Sequence, residues 1–169
     1  MPPAEPPRSR RSEWEASRWA DVGSVDLSAI EQFFVAGIPF NTFVGLELVE
    51  IERGRAVARI PFRPELIGDP TRPALHGGVI SMLADTIGGA AVFSVTDPGD
   101  RVATIDLRVD YLLPGREADV YAEALVIRVG NRVGVASMRC WQPATTGEDS
   151  IAVAKGVYTI KRLDGSSRS

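Results

Sequence analysis

The sequence predicts an α+β fold in which an antiparallel β-sheet of five to six strands wraps around one long central helix. The first observation is a single long helical segment, residues 77–95, that is rich in small side chains. The second is a set of runs that alternate apolar and polar residues, most of them joined by turns of hairpin length. The third is chain size, because 169 residues, 44% of them hydrophobic, bury the core of one domain.

Both ends of the chain are expected to lie outside this domain. Residues 1–24 are rich in proline and arginine, a composition that buries little apolar surface, and they predict a flexible tail. Alternatively, Trp14 and Trp19 would form one face of a short docking helix. The domain is predicted to span residues 25–163, and residues 164–169 to form a second flexible tail.

A short amphipathic helix is predicted over residues 28–37. Ser28 and Glu31 have the spacing of a capping box, and apolar residues follow at helical intervals. Gly37 and Pro39 are expected to end this helix.

A β-hairpin is predicted after the first helix. Residues 46–52 and 55–62 alternate apolar and polar side chains on either side of Arg53 and Gly54. Two strands therefore precede the middle of the chain.

The long helix is predicted because Val79, Leu83 and Ile87 recur at helical spacing between residues 77 and 95. Many of the other residues in this segment are glycine or alanine. A glycine within a helix costs about 1 kcal/mol relative to alanine. Their frequency therefore indicates a helix that lies very close to a neighbouring backbone.

Four further strands are predicted after the turn that begins at Asp97. Each is a long run of alternating apolar and polar residues, and the turns between them contain glycine, asparagine or proline. The four runs are residues 101–113, 119–129, 132–141 and 150–162.

The cysteine and histidine content limits the possible chemistry. Cys140 is the only cysteine, and its position in an alternating run predicts a core residue rather than a nucleophile. His76 is the only histidine, which excludes zinc sites that need two or more imidazoles. We therefore expect no metal.

The overall charge limits the possible partners. A net charge of −3 and a pI near 5.3 provide no field that attracts nucleic acid or an anionic membrane. No apolar run is long enough to span a bilayer, and the first residues lack the apolar stretch of a secretory signal. We expect a cytoplasmic protein that has neither a nucleic-acid nor a membrane partner.

One segment combines features that indicate chemistry. His76, Gly77 and Gly78 open the long helix, and Asp85 follows on the same helix within the least polar stretch of the chain. A carboxylate in such surroundings either faces solvent on a narrow stripe or lies beside a functional site.

Residues 76–90, HGGVISMLADTIGGA, resemble the signature of the hotdog thioesterases of the phenylacetate-pathway type, the PaaI-like and 4-hydroxybenzoyl-CoA thioesterase family. Residues 104–114, TIDLRVDYLLP, resemble the strand that follows the helix in that family. The resemblance covers residues 38–162. It implies a hotdog fold and hydrolysis of an aryl- or medium-chain acyl-CoA to the free acid and CoA.

The resemblance also implies catalytic residues. Asp85 would act as general base or nucleophile, and the Gly77 backbone N–H would polarise the thioester oxygen. His76 would shape that oxyanion site, although a histidine that only caps the helix is the alternative reading. Thr104 would place a hydroxyl near the attacking water.

Helix geometry turns these roles into a prediction of assembly. Gly77 and Asp85 are eight residues apart, which gives a rise of about 12 Å and an angular offset of about 80°. One carbonyl group cannot touch both. The active site is therefore expected to lie across the interface of a homodimer, and the family implies a dimer of dimers.

Two positions depart from the family pattern. Pro70 stands six residues before His76, where relatives often carry Asn or Gln to orient the nucleophile or water. Gly89 stands four residues after Asp85, where relatives carry Ser or Thr. Turnover would then be slow, or the water would be placed differently.

The expected substrate needs cations for CoA phosphates and an apolar acyl pocket. No cofactor is expected, since CoA is part of the substrate. A turn and its flanking arginines are the candidate CoA-binding residues: Arg128, Gly130, Asn131 and Arg132, with Lys161 and Arg162 as further cations. Aromatic residues of the first helix and its surroundings would line the acyl pocket or simply pack in the core: Phe33, Phe34, Phe40 and Phe43.

Three other functions remain open at this point. A hotdog module could bind acyl-CoA without hydrolysing it, which the absence of Asn or Gln at position 70 would favour. A hotdog hydratase or dehydratase needs a differently spaced histidine and acid. A purely structural β-rich domain would leave Asp85 unexplained.

Overall fold

The computed structural model describes residues 18–143 and 150–162. Its helices and strands follow the predicted order, and an additional helix and a small hairpin lie between the predicted elements. The helices are α1 (Leu27–Gln32), α2 (Pro39–Val44) and α3 (Gly77–Phe93). The strands are β1 (Glu47–Glu52), β2 (Arg55–Ile60), β3 (Ile67–Asp69), β4 (Ala74–Leu75), β5 (Arg101–Tyr111), β6 (Val120–Val129), β7 (Val133–Trp141) and β8 (Ser150–Lys161).

Six strands form one antiparallel sheet in the order β1-β2-β6-β7-β8-β5. Helix α3 packs against β2, β5, β6, β7 and β8, so the sheet wraps around it as predicted. Strands β1 and β5 lie at the two edges. The α+β hotdog architecture is therefore confirmed.

The close approach of α3 to the sheet depends on Gly88. A Cβ on Gly88 would lie 2.1 Å from the hydroxyl oxygen of Tyr158, whose side chain rises from β8. Tyr158 is only 1% exposed. Only a residue without a side chain at this position lets the tyrosine pass beside the helix.

The first helical segment begins one residue earlier than predicted and has a different N-cap. Asp26, not Ser28, is the N-cap, because its carboxylate accepts a hydrogen bond of 2.9 Å from the Ser28 backbone N–H. Residues Phe33–Gly37 continue α1 as a π-helical turn. Pro39 does end this segment, but it also begins α2, since proline suits the first position of a helix.

The packed domain begins before residue 25. Trp19 is 7% exposed and lies over Gly54, whose φ of +74° and proximity to the indole ring exclude a side chain there. The Ser24 and Val25 N–H groups donate to the Thr96 carbonyl at 3.0 and 3.2 Å. The predicted tail boundary at residue 24 is therefore too late. Trp14 and the tail at 164–169 lie outside the described residues.

Strand β5 contains a β-bulge at Ile105. Thr104 pairs with Tyr158 and Asp106 with Val157, so Ile105 has no partner on β8. Its side chain is 60% exposed. The extra residue changes which side chains face α3 on either side of the bulge.

The core lies between α3 and the concave face of the sheet, and Cys140 belongs to it. Its thiol is fully buried, and burial raises its pKa to about 12. The prediction of a packing residue fits this environment. Within the described ranges, no helix is both long and apolar enough to cross a membrane.

Candidate active site

His76 caps the start of α3. Its Nδ1 accepts a hydrogen bond of 2.9 Å from the Gly78 N–H, and its carbonyl accepts one from the Val79 N–H. His76 is therefore the N-cap of the helix, a position that is compatible with both readings of this residue. Gly77 is the first helical residue, where an N–H has no partner within the helix.

Asp85 and Thr104 meet between helix and strand. The Thr104 hydroxyl donates to Asp85 Oδ1 at 2.9 Å. Thr104 lies just before the bulge of β5, and its pairing with the inward-facing Tyr158 turns it toward α3. The structure therefore brings together two of the predicted catalytic residues.

A large apolar cavity opens beside this pair. Its volume is about 850 Å³, and both Asp85 and Thr104 line it. The remaining wall is mostly aromatic or aliphatic. Side chains of the first helices and of α3 form it: Phe33, Phe34, Ile38, Phe40, Met82 and Phe93. Phe43 stacks on Phe40 but is 71% exposed and does not line the cavity.

Gly77 lies elsewhere on the same chain. It lines a separate depression of about 260 Å³ together with Tyr111 and Leu112 on the β5 side. The Tyr111 hydroxyl donates to the Gly77 carbonyl at 2.9 Å. Within one chain, Gly77 and Asp85 thus face different spaces, as the helical offset predicted.

Tyr158, which was not predicted from the sequence, contacts the backbone of Asp85 from strand β8. Its buried hydroxyl donates to the Asp85 backbone carbonyl at 3.1 Å. Burial, followed by the nearby Asp85 charge, raises the pKa of this phenol above its ordinary value. Tyr158 therefore remains protonated and fixes the helical turn that carries the carboxylate.

Asn41 is a second residue that the sequence patterns did not single out. It lines the cavity and is 2% exposed. Its Nδ2 donates to the Phe34 carbonyl at 2.7 Å, which holds α2 against the π-helical turn. A lone asparagine in a short helix carries no periodic signal, so only the packing reveals it.

Arg162 is held in an internal ion-pair network. Its guanidinium pairs with Asp100 and lies 3.8 Å from Asp97. It also donates to the carbonyls of Gly130 and Asn131 at 3.3 and 3.2 Å. Arg162 therefore ties the β6–β7 turn to the loop before β5, and this engagement does not fit its predicted availability for CoA.

The β6–β7 turn itself offers fewer anion donors than predicted. The Gly130 N–H already donates to the Val133 carbonyl at 2.8 Å. Arg128 and Arg132 are exposed and have no ion pair within the described part of the chain. Arg101, which was not predicted from the sequence, also lines the large cavity. It lies opposite Lys161 in the register of β5 and β8.

The structure shows the surroundings of Pro70 and Gly89, the two residues that depart from the family pattern. Pro70 lies in the turn between β3 and β4, where Asp69 accepts hydrogen bonds from Thr71 and Arg72. The Thr71 hydroxyl, followed by these backbone N–H groups, lowers the pKa of Asp69. Gly89 lines the cavity, and a Cβ there would only reach ordinary contact with Tyr158 at 3.7 Å.

Comparisons with known proteins identify the family of this chain. A sequence model described as "Thioesterase superfamily" matches residues 73–147, the stretch that contains His76, Gly77, Asp85 and Thr104. The medium/long-chain acyl-CoA thioesterase YigI of Salmonella typhimurium is 32% identical over 146 residues, which cover 79% of this chain and 91% of the relative. A protein of Halobacterium salinarum that carries an esterase name is 37% identical, with 82% and 95% covered.

Solved structures show the same fold. A Shewanella oneidensis protein related to the thioesterase superfamily is 32% identical, with a TM-score of 0.69 over 79% of this chain and 94% of the other. A Silicibacter pomeroyi thioesterase-family protein has a TM-score of 0.74 over 80% of this chain and 98% of the other. At 21% identity, this match shows the fold alone. The extent of these matches confirms the predicted relationship at the level of the superfamily. The chain belongs to the thioesterase superfamily.

Proposed function

We propose that this protein hydrolyses the thioester of an acyl-CoA to the free acid and CoA. The observation that carries the proposal is the Asp85 carboxylate, bonded to Thr104 at 2.9 Å, on the wall of an apolar cavity of about 850 Å³. A carboxylate beside an apolar cavity can activate water next to a bound acyl group. The name of the YigI relatives, acyl-CoA thioesterases, supports the same substrate class.

In the proposed reaction, Asp85 acts as general base. It accepts a proton from a water molecule, and the water oxygen attacks the thioester carbonyl carbon. The tetrahedral intermediate then expels the CoA sulfur, which takes up the proton from Asp85. Thr104 holds one carboxylate oxygen, so the other remains directed at the water.

The oxyanion donor is the Gly77 N–H of a second subunit. A free N–H at a helix N-terminus stabilises the developing negative charge on the carbonyl oxygen. Because Gly77 and Asp85 of one chain face different spaces, the site is complete only in a homodimer. Exposed apolar residues on and after edge strand β5 suit such an interface: Ile105, Tyr111, Leu112 and Leu113.

The runner-up mechanism makes Asp85 the nucleophile. Its carboxylate oxygen would attack the thioester carbon, release CoA and leave a mixed anhydride, which water then hydrolyses. A single turnover in ¹⁸O-labelled water tests for the anhydride. Label found in the Asp85 side chain demonstrates it, whereas label confined to the released acid fits both the general base and an anhydride that water opens at its acyl carbon.

The shape of the cavity supports the proposed acyl groups. Phe33 and Phe34 each contact Phe93 with ring centroids 6.4 Å apart. Such walls suit an aryl ring or a medium-length alkyl chain, both of which bury apolar surface against them. The relatives named for medium- and long-chain acyl-CoA favour the alkyl alternative.

The test is CoA release from a panel of aryl- and alkyl-CoAs, measured with a thiol reagent. Asp85→Asn keeps the shape of the side chain and should lower kcat at least about 100-fold, the usual contribution of a general base. Glu31→Gln, on the exposed side of α1, is the control and should leave kcat unchanged.

Two outcomes would count against the proposal. Near wild-type kcat in folded Asp85→Asn would remove Asp85 from the mechanism. Binding of acyl-CoA with no CoA release above the Asp85→Ala background would instead identify a non-catalytic acyl-CoA-binding module.

A further inference from the structure

The Asn41 side chain presents an unused hydrogen-bond acceptor to an otherwise apolar part of the cavity. Its Nδ2 is bonded to the Phe34 carbonyl at 2.7 Å. No donor within the described residues is bonded to Oδ1. Because the residue is 2% exposed and lines the cavity, Oδ1 can find a partner only among molecules inside the cavity.

The surroundings of Asn41 on the cavity wall are apolar. Phe33, Phe34 and Phe93 form the adjacent walls and contribute no polar side-chain atoms. An amide oxygen that is reached only through the cavity can bond a ligand donor there, and a ligand without such a donor leaves it unpaired and binds less well.

The contacts of Asn41 connect it to the Phe93 end of α3. It is bonded to Phe34, and the Phe34 ring contacts Phe93. Phe93 follows Asp85 by eight residues on α3, a rise of about 12 Å. A group that meets Asn41 therefore belongs to the far end of an acyl chain whose thioester lies at Asp85.

We infer that Asn41 is a specificity-determining residue that selects acyl-CoAs whose acyl group ends in a hydrogen-bond donor, such as an ω-hydroxyacyl-CoA. The inference rests on the proposed thioesterase function. The terminal hydroxyl donates to Asn41 Oδ1, while the chain between hydroxyl and thioester packs against the phenylalanines. A terminal methyl group would leave Oδ1 without a partner.

The test compares matched substrate pairs on one enzyme preparation. Each pair consists of an ω-hydroxyacyl-CoA and the acyl-CoA with a methyl group in place of the hydroxyl, across a series of medium chain lengths. At the best length, the wild-type kcat/KM should be about tenfold or more higher for the hydroxylated member. In Asn41→Leu the order should reverse, because the hydroxyl loses its partner and the methyl group gains an apolar one.

Thr42→Val provides a matched control. The Thr42 hydroxyl donates to the Val35 carbonyl at 3.1 Å, so it also holds α2 to the π-helical turn, but the residue is exposed and does not line the cavity. This variant should keep the wild-type preference. Each ratio compares two substrates on one preparation, so a partly unfolded fraction cancels.

The outcomes separate this inference from the proposed function. The inference alone is overturned if the wild-type protein hydrolyses acyl-CoAs but treats both members of every pair alike or prefers the methyl member. An ordered water would then be the partner of Asn41. If Asn41→Leu fails to fold, the wild-type preference still decides. Absence of hydrolysis of any acyl-CoA overturns the proposed function itself.

Discussion

At the scale of single residues, the hydrogen bond between Thr104 and Asp85 is the most informative contact of the site. Asp85 stood out in the sequence because a carboxylate is rare among so many apolar neighbours. Thr104 did not stand out, since threonine is common in strands. It was predicted as a catalytic residue only from the family resemblance. Its contact with Asp85 occurs next to a β-bulge that no sequence pattern predicted.

Removal of the Thr104 hydroxyl should affect turnover more than binding. We expect Thr104→Val to lower kcat about tenfold with little change in KM, because a hydrogen bond to a charged group that orients the base is lost. Thr104→Ser should keep most of the activity. Steady-state kinetics on the best acyl-CoA measures both constants.

The control is Thr159→Val on the neighbouring strand. Thr159 pairs with Ala103 and therefore lies on the opposite face of the sheet from Thr104. An equal loss of kcat in both variants would show that a general weakening of the sheet, not the orientation of Asp85, explains the effect.

Arg101 offers a second prediction at the residue scale. It is exposed at the start of β5 and is among the residues that line the cavity, so Arg101→Gln should raise KM for acyl-CoA about tenfold by removing a cation for the CoA phosphates. The same acyl group on pantetheine, which lacks the nucleotide phosphates, should show no change. Kinetics with both substrates decides.

The β6–β7 turn is tested in the same assay. The double change Arg128→Gln and Arg132→Gln removes the two exposed cations predicted from the sequence. A rise in KM for acyl-CoA in this variant and none in Arg101→Gln would indicate that the CoA phosphates bind at the turn and not at Arg101.

At the scale of secondary-structure elements, long periodic segments were predictable and short ones were not. The bounds of α3 and of the last four strands agree with the sequence patterns within a few residues. Helix α2 and the β3–β4 hairpin were missed, since six and two to three residues contain too little of a period to detect.

The bulge at Ile105 explains why the facing of Thr104 could not be read from the sequence. Ile105, Leu107 and Tyr111 alternate regularly and predict that all odd-numbered residues of β5 face the core. The structure instead turns Thr104 inward and exposes Ile105. Only the pairing with β8 reveals this change.

Two adjacent glycines of α3 predict opposite effects on stability. Gly89→Ala should stabilise the protein by about 0.5–1 kcal/mol, because alanine favours the helix and its Cβ meets Tyr158 only at 3.7 Å. Gly88→Ala should destabilise it by about 1–3 kcal/mol, because its Cβ would lie 2.1 Å from the Tyr158 hydroxyl. Urea unfolding measures both.

Tyr158→Phe provides the check on this explanation. Added to Gly88→Ala, it removes the hydroxyl that the new methyl group would contact, so it should restore part of the lost free energy of unfolding. Equal stability of the two single glycine variants would contradict the proposed contact.

At the scale of the whole molecule, the separation of Gly77 and Asp85 means that the proposed site needs two subunits. Mixed dimers of Asp85→Asn and Gly77→Pro chains test this requirement. Each mixed dimer contains one site with both native residues, so random mixing of two inactive proteins should restore about a quarter of wild-type activity. Activity assays after subunit exchange measure the gain.

Gly77→Ala is the control for this experiment. A Cβ at position 77 lies 3.3 Å from the Tyr111 ring, so both substitutions introduce that contact, but only proline removes the N–H. Gly77→Ala should therefore stay active. Mixtures without any recovery, formed from chains that do exchange, would place both catalytic groups within one subunit.

The buried thiol of Cys140 makes the native chain a ready background for chemical labelling. It is the only cysteine, it is inaccessible, and its raised pKa keeps it protonated at neutral pH. A cysteine introduced at an exposed position such as Phe43 would then be the single reactive site for a fluorophore or spin label. Movements of α2 over the cavity could be followed in this way without first removing a native residue.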